Sequence, residues 1–364
     1  MRTLSKQEVI DILYGCTVVG TGGGGSLPVG LEMIEKDYAN GKSLKLIELS
    51  EIPDEGLIAS PYGCGAPLYE NGEEDPRYAG LPRLDDSAAI LAFTTLQDYM
   101  GEKFCAVSST ELGGENTAEA IHIAMALDIP LADSDPAGRS VPELQHSSFY
   151  VKGIPIAPLA CATNFGDTVI LNNTVNDLRA EAIVRAIAVV SGDEVGVADH
   201  PMRGKEFRNS VIPGAISWAQ KIGETLRLSN EKKLDTAQII ASGFDGKVLF
   251  RGLIEESPWE CRDGFNYGTI NVKGIKEFEG DNYEIGMQNE NIFSKKNGVV
   301  DACVPDLICM LNKDGYPVTN PNWTIGEEVT IFALPSPDIW KTEAGQKVFS
   351  TTSFNLGFDY KSFK

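Results

Sequence analysis

The sequence predicts an α/β N-terminal domain with a largely parallel sheet, over residues 1–170, and a mixed α/β to β-rich C-terminal domain over 171–364. Three observations carry this. Strand and helix patterns alternate through the first 132 residues or so, as βαβ units require. The texture changes after about residue 150. From Thr236 onward, short apolar runs are punctuated by Gly, Asn and Asp turns. The length of 364 residues fits about two domains at roughly 150 residues each.

Ser5 and Glu8 form a capping-box pattern before a short helix to Tyr14. The run Gly20-Thr21-Gly22-Gly23-Gly24-Gly25 breaks it. Pro28 suits the first turn of a second helix to Tyr38. Ser43–Leu49 and Gly56–Tyr62 read as strands, and Gly63–Pro82 as a loop. Asp85–Met100 has apolar residues at helical spacing. Lys103–Ser108 is a strand, Asn116–Leu127 a helix and Ile129–Ala132 a short strand. Ile154–Leu171 reads as β-rich around an Asn164-Phe165-Gly166-Asp167 turn. Asp177–Val190 and Pro213–Leu226 read as helices. Beyond Thr236 the turn signals are Phe244-Asp245-Gly246, Arg262-Asp263-Gly264, Lys296-Asn297-Gly298 and Lys313-Asp314-Gly315.

Composition narrows the function classes. Hydrophobic residues are 42% and charged residues 23%, which excludes disordered, collagen-like and coiled-coil chains. A net charge of −21 argues against nucleic acid or an anionic membrane as partner and is otherwise a solubility property. The N-terminal residues carry no signal-peptide pattern, and no apolar run is long enough to span a bilayer, so a cytoplasmic protein is expected. The 7 cysteines are dispersed with no C-x-x-C, so neither a disulfide framework nor a zinc knuckle is indicated. With only 3 histidines, a metal site would have to be mixed Asp/Glu/Cys/His.

Four segments could carry chemistry. Gly20-x-Gly22-x-x-Gly25 matches a dinucleotide fingerprint, with Glu48 at about the ribose-binding distance, but a helix precedes it where a strand is required. The alternative is a loop whose glycines Gly22, Gly23, Gly24 and Gly25 present amides to an anion or oxyanion. Cys64, between two glycines at a strand end, could be a nucleophile, a soft metal ligand or a small buried turn residue. Glu111 follows another strand, and Asn116 is either a plain helix cap or a polar site residue. Residues 131–146 are the densest polar run. Asp133 and Asp135 form a D-x-D suited to a hard cation. Arg139 could orient a carboxylate or ureide, or simply pair with Asp135. Glu143 and His146 would share a face if helical. His146 reads equally as a packed residue. Asp199-His200 is an acid–histidine neighbour pair without a partner motif, and His122 reads as structural.

These segments together resemble the S-methyl thiohydantoin desulfurase-like family, whose genes often travel with those of hydantoinases and oxoprolinases. The residues carrying the resemblance are the Gly20–Gly25 loop, Tyr62-Gly63-Cys64-Gly65-Ala66-Pro67, Glu111-Leu112-Gly113-Gly114-Glu115-Asn116 and Asp133–Glu143. Further on come Asn289-Glu290-Asn291, Val304-Pro305-Asp306-Leu307-Ile308 and Phe354–Tyr360. Their order is collinear across nearly the whole chain. The chain departs from the pattern in places. Relatives continue the glycine loop with Asp-Pro, where this chain has Ser26-Leu27-Pro28. The stretch Asp135-Pro136-Ala137-Gly138-Arg139-Ser140-Val141-Pro142-Glu143 stands for Asp-Gly-x-Gly-Arg-Ala-Phe-Pro-Glu. Phe349-Ser350-Thr351-Thr352 replaces a Val-Gly-Pro-Arg.

The resemblance implies metal-assisted hydrolysis of a small cyclic amide: a hydantoin, thiohydantoin or S-methyl thiohydantoin. Cys64, Asp133, Asp135 and His146, with Glu111, are the expected ligands for a divalent metal, zinc in the first place. Arg139 and Asn116 would orient the ring, Gly22–Gly25 would hold an oxyanion, and Glu143 would shuttle a proton. A metal-free variant makes Cys64 a covalent nucleophile. The alternative from another class is a non-catalytic subunit of a hydantoinase/oxoprolinase-type complex. A homo-oligomer is the general expectation for an enzyme of this size.

Overall fold

The computed structural model describes residues 1–65, 78, 80–192, 194–262 and 265–364. The Gly63–Pro82 loop and the Arg262-Asp263-Gly264 turn therefore lie largely or partly outside the described residues. The first sheet is mixed. Its order is Arg2–Thr3, Lys45–Ile47, Leu131–Ala132, Phe104–Val107, Leu57–Gly65, Glu194–Arg203, Leu159–Thr163, Thr168–Leu171. The central pairings among Lys45–Ile47, Leu131–Ala132, Phe104–Val107 and Leu57–Gly65 are parallel. The pairings on either side are antiparallel. Strand Glu194–Arg203, which the residue pattern does not announce, inserts between Leu57–Gly65 and Leu159–Thr163. It is buried along nearly its whole length, so it lacks the polar alternation of a half-exposed strand.

Local signals set the helix starts. Ser5 and Glu8 close the expected capping box on helix Lys6–Val19. Ser26 caps Leu27–Ala39 with Pro28 in its first turn. Ser87 caps Ala88–Met100, and Gly101 ends it in the left-handed region at φ +68. Helix Lys6–Val19 packs against helix Ala215–Glu231 through two glycines. A Cβ at Gly15 would stand 1.8 Å from the carbonyl oxygen of Ala219, and one at Gly223 would stand 1.7 Å from that of Asp11. Only glycine permits this approach.

The second sheet is antiparallel, ordered Val299–Cys303, Glu290–Lys296, Asn282–Gln288, Phe265–Gly274, Lys247–Glu256, Glu328–Leu334, Leu307–Asn312. Trp259–Arg262 pairs with Phe265–Gly274 beside it. The Lys296-Asn297-Gly298 turn falls where expected. Thr236–Gly243, placed by the turn pattern in the strand-rich region, is a helix capped by Asp235. Its apolar residues Ala237, Ile240 and Ala241 face the core at helical spacing.

Strand Leu307–Asn312 ties the two sheets together. Leu307, Cys309 and Leu311 join the large core around the first sheet's helices, while Ile308 and Met310 join the second sheet's own core. Strand Glu328–Leu334 does the same, sending Phe332 and Leu334 one way and Val329, Ile331 and Ala333 the other. Alternate side chains of a strand point to opposite faces, so both faces here are core. Among the described residues, no helix is long and apolar enough to cross a membrane.

Two stability predictions follow from the packing. Gly223→Ala should cost about 1–3 kcal/mol by overpacking, read as a lower thermal midpoint. Gly243→Ala, where a Cβ meets nothing within 4 Å, should leave the midpoint essentially unchanged. The second concerns His122, read from the sequence as structural. Burial opposes its charge, but hydrogen bonds to Asp37 at 2.8 Å and Asp86 at 2.8 Å override burial and raise its pKa from 6.5 to about 9. A raised folded-state pKa gives stability that is full below the unfolded value and lost as pH rises through the folded one. The difference in thermal midpoint between wild type and His122→Gln should therefore be largest near pH 6 and close as the pH passes about 9.

Candidate active site

A cavity opens at the C-terminal ends of the parallel strands, where open α/β sheets bind ligands. Its enclosed space is about 20 Å³, room for about one water molecule, and it opens toward solvent. Tyr62 comes from strand Leu57–Gly65, Thr110 and Glu111 from the loop after Phe104–Val107, and Asp199 and His200 from strand Glu194–Arg203. The Pro136–Ser147 segment and Phe149 complete the wall.

One side of the cavity is a hydrogen-bonded relay. Tyr62 Oη donates to Asp199 Oδ2 at 2.8 Å, and Asp199 Oδ1 lies 2.8 Å from His200 Nδ1. Burial, then the Asp199 carboxylate, pushes the Tyr62 phenol well above its usual range, so it stays protonated and donates. A carboxylate can only accept, so Nδ1 carries a proton, and in the neutral imidazole Nε2 is the nitrogen with the free lone pair. The relay arises because Glu194–Arg203 runs antiparallel to Leu57–Gly65, pairing Ser60 with Asp199 and Tyr62 with Val197. His200 is held at φ +46, an uncommon conformation for a non-glycine residue. Its ring packs 4.7 Å from that of Phe149.

Glu111 is a buried carboxyl on the cavity wall. It is also left-handed, at φ +60. Burial, reinforced by the charge of Glu290, raises its pKa well above its usual value and favours its protonated form. His146 packs against Phe349 and Phe354, at 5.0 and 5.4 Å between ring centroids. Burial and then the charge of Arg139 hold its pKa down at about 3, so it is neutral. Thr110 Oγ1, His146 Nδ1 and His200 Nε2 are buried without a hydrogen-bond partner among the described residues. Buried polar groups are rarely left so, and these three residues line one cavity.

The residues singled out from sequence divide into three groups. Glu111, Glu143 and His146 line the cavity. Glu143 and His146 do so from turns and bends, not from the helix their spacing suggests. The His146 amide donates to the Glu143 carbonyl at 3.0 Å, and Gln145 Nε2 donates to Glu143 Oε2 at 2.7 Å.

A second group is engaged in the scaffold. Arg139 is 0% exposed. Its guanidinium donates to the carbonyls of Ser140, Pro305, Asp306 and Asn291 and to Thr21 Oγ1, and Asp135 is not among these acceptors. Asn116 is the first helical residue rather than the cap, and its amide donates to the Gly24 carbonyl at 3.3 Å. The glycine loop follows a helix, so the dinucleotide reading lacks its strand. Instead it is closely packed: a Cβ at Gly22 would strike Asn320, at Gly23 Glu290, at Gly24 Ser140 and Gly113, and at Gly25 Glu115.

The remaining expected metal ligands, Asp133, Asp135 and Cys64, form the third group. Asp133 accepts from the Ser217 amide and hydroxyl at the start of helix Ala215–Glu231, at 2.9 and 2.5 Å. Asp135 Oδ1 accepts from the amides of Ala137 and Gly138 at 2.8 and 2.6 Å, so the D-x-D carboxylates serve separate local structures. Cys64 sits in an apolar cluster with Ile156, Leu159, Cys161 and Val195. Burial, then the charge of Glu181, pushes its thiol far up, which disfavours a thiolate. Among the described residues, no three His, Cys, Asp or Glu side chains gather as a metal-holding group. These donors do not fit a shared ion, and no step is routed through one.

Tyr62, Asp199, His200 and Glu290 were not singled out as site residues from sequence. Asp199-His200 was visible as a pair, but its value comes from the strand register. Glu290 is 3% exposed, and burial moves its pKa up to about 8 against the opposing pull of Arg139. Arg139→Met should cost about 3–5 kcal/mol, as removal of a buried, fully bonded charge does, read as a large fall in thermal midpoint.

The comparisons agree with this architecture. A crystal structure of a protein from Chromobacterium violaceum aligns over 100% of both chains with a TM-score of 0.83 at 20% identity, which establishes a shared fold. No curated protein matches the chain. The S-Me-THD-like N-terminal domain matches residues 7–173 and the S-Me-THD-like C-terminal domain matches residues 175–363. The chain belongs to the S-methyl thiohydantoin desulfurase-like family.

Proposed function

We propose that this chain is a hydrolase of five-membered cyclic ureides and their sulfur analogues, with an S-alkyl thiohydantoin as the best-fitting substrate. The observation that carries this reading is the pairing, in one cavity, of a carboxylate-oriented imidazole with a protonated carboxylic acid. An imidazole whose proton is fixed on one nitrogen by its carboxylate partner, beside a carboxyl that burial biases toward its acid form, offers a division of acid–base labour. The family supplies the ring; the cavity supplies the chemistry.

His200 Nε2 takes a proton from water as the water oxygen bonds to the ring carbon that carries sulfur. Asp199 stabilises the imidazolium so formed. Negative charge gathers on the adjacent ring nitrogen. When the electron pair returns to carbon, the C–S bond breaks and Glu111 gives its proton to the departing sulfur. A thiol leaves, and a proton shift within the ring yields the cyclic ureide. The imidazolium returns its proton to the Glu111 carboxylate through solvent. Positioned acid–base catalysis of this kind contributes typically about 10²–10⁴-fold.

The assay is release of methanethiol from S-methyl thiohydantoin by the purified chain. His200→Asn and Glu111→Gln should each lower kcat by about 10²-fold or more. Because Glu111 must be protonated, wild-type kcat should fall as pH rises through its elevated pKa, and Glu111→Gln should remove that alkaline limb. A wild-type chain without turnover, or a His200→Asn variant with full activity, would overturn the assignment.

A further inference from the structure

The relay does not end at His200. Beyond its ring lies Asp177, the first residue of helix Asp177–Val189. His200 Nε2 and Asp177 Oδ2 face each other at 3.8 Å. Each residue is 3% exposed, and neither atom has a hydrogen-bond partner among the described residues. A separation of 3.8 Å is too long for a direct hydrogen bond, and one water lying off the line between the two atoms can bond to both.

The proton inventory sharpens this. With Nδ1–H committed to Asp199, His200 Nε2 is a hydrogen-bond acceptor. An ionised Asp177 Oδ2 is an acceptor too. Two lone pairs facing one another in a buried site are unfavourable unless a donor with two protons joins them. Water is that donor. A water donating one proton to each atom has its own lone pairs directed away from both. It also has one proton already on the line to the base.

We propose that His200 Nε2 and Asp177 Oδ2 together hold the hydrolytic water, with Asp177 orienting it and His200 accepting its proton. This rests on the hydrolase reading above. In the reaction the O–H bond toward His200 breaks as the O–C bond forms. The second proton stays on oxygen, hydrogen-bonded to Asp177, until the hydroxyl has been transferred to the ring. Asp177 is thereby a catalytic residue that changes no bond of its own.

Two measurements separate this proposal from the reading it rests on. The first needs no substrate. A crystal structure at better than about 1.8 Å should show one ordered water within hydrogen-bond distance, about 3.2 Å, of both atoms. A direct bond between His200 and Asp177, or only protein atoms in the gap, would overturn the proposal whatever the enzyme turns over.

The second uses methanethiol release from S-methyl thiohydantoin. Asp177→Ala should lower kcat about 100-fold with KM within about threefold of wild type. Added formate should restore at least about tenfold of the loss, by returning a carboxylate to the vacated position. Loss of a merely structural aspartate would not be repaired in kcat alone. Asp177→Asn at wild-type kcat would overturn the proposal while leaving the His200 assignment intact. If the wild-type chain shows no turnover, the hydrolase reading fails, and the crystal structure alone decides the water site.

Discussion

The guanidinium of Arg139 is the point on which the two halves of the molecule close. It comes from the loop that follows the first sheet's shortest parallel strand, yet its acceptors are distributed over Thr21, Asn291 and the Pro305–Asp306 turn. The aromatic face of Phe349 lies 5.2 Å from it. A buried charge is tolerated only when every donor is satisfied. The loop after Gly20, the turn before Leu307 and the start of Glu290–Lys296 are therefore all constrained by one side chain. Its position fixes the Pro136–Ser147 segment, which in turn walls the cavity.

A second constraint is the number of carboxyls kept out of water in the interior. Glu111, Glu290, Asp135 and Asp177 all have raised pKa values, chiefly because burial penalises the charged form. The net charge of −21 thus overstates the charge of the interior. The exposed carboxylates carry it, while Glu111, on the cavity wall, is biased toward its protonated form.

Much of the fold was legible in the sequence, because helix caps and glycine stops are local. The Ser5–Glu8 capping box and Pro28 in a first helical turn each do what their chemistry suggests. What escaped was non-local. Glu194–Arg203 carries no alternation because both faces are buried, and its insertion in mid-sheet depends on Leu159–Thr163 on one side and, across more than a hundred residues, Leu57–Gly65 on the other. Of the candidate site, Glu111, Glu143 and His146 were found by their place at strand ends and in a polar run. Tyr62, Asp199 and His200 were not, since only strand register brings a tyrosine to an aspartate 137 residues on. Arg139 and the Gly22–Gly25 loop drew notice for the right reason, dense function-like chemistry. Their visible work is to let backbones approach and to hold them there.

The doubly buried strand Leu307–Asn312 has a consequence of a different kind. In a half-exposed strand the alternation of polar and apolar residues fixes register, because a slip of one residue would turn the core face outward. Here a slip would exchange one apolar set for another, and hydrophobicity alone would not register the mistake. The marks that do are polar and sit at the two ends. Before the strand, Asp306 accepts from the Ser336 amide at 3.1 Å and the Tyr360 hydroxyl at 3.0 Å. At its close, the Asn312 side chain accepts from the amides of Asp314 and Tyr316 at 3.1 and 3.0 Å. These two residues act as end stops, so for this strand the count of residues between them carries more information than their identity.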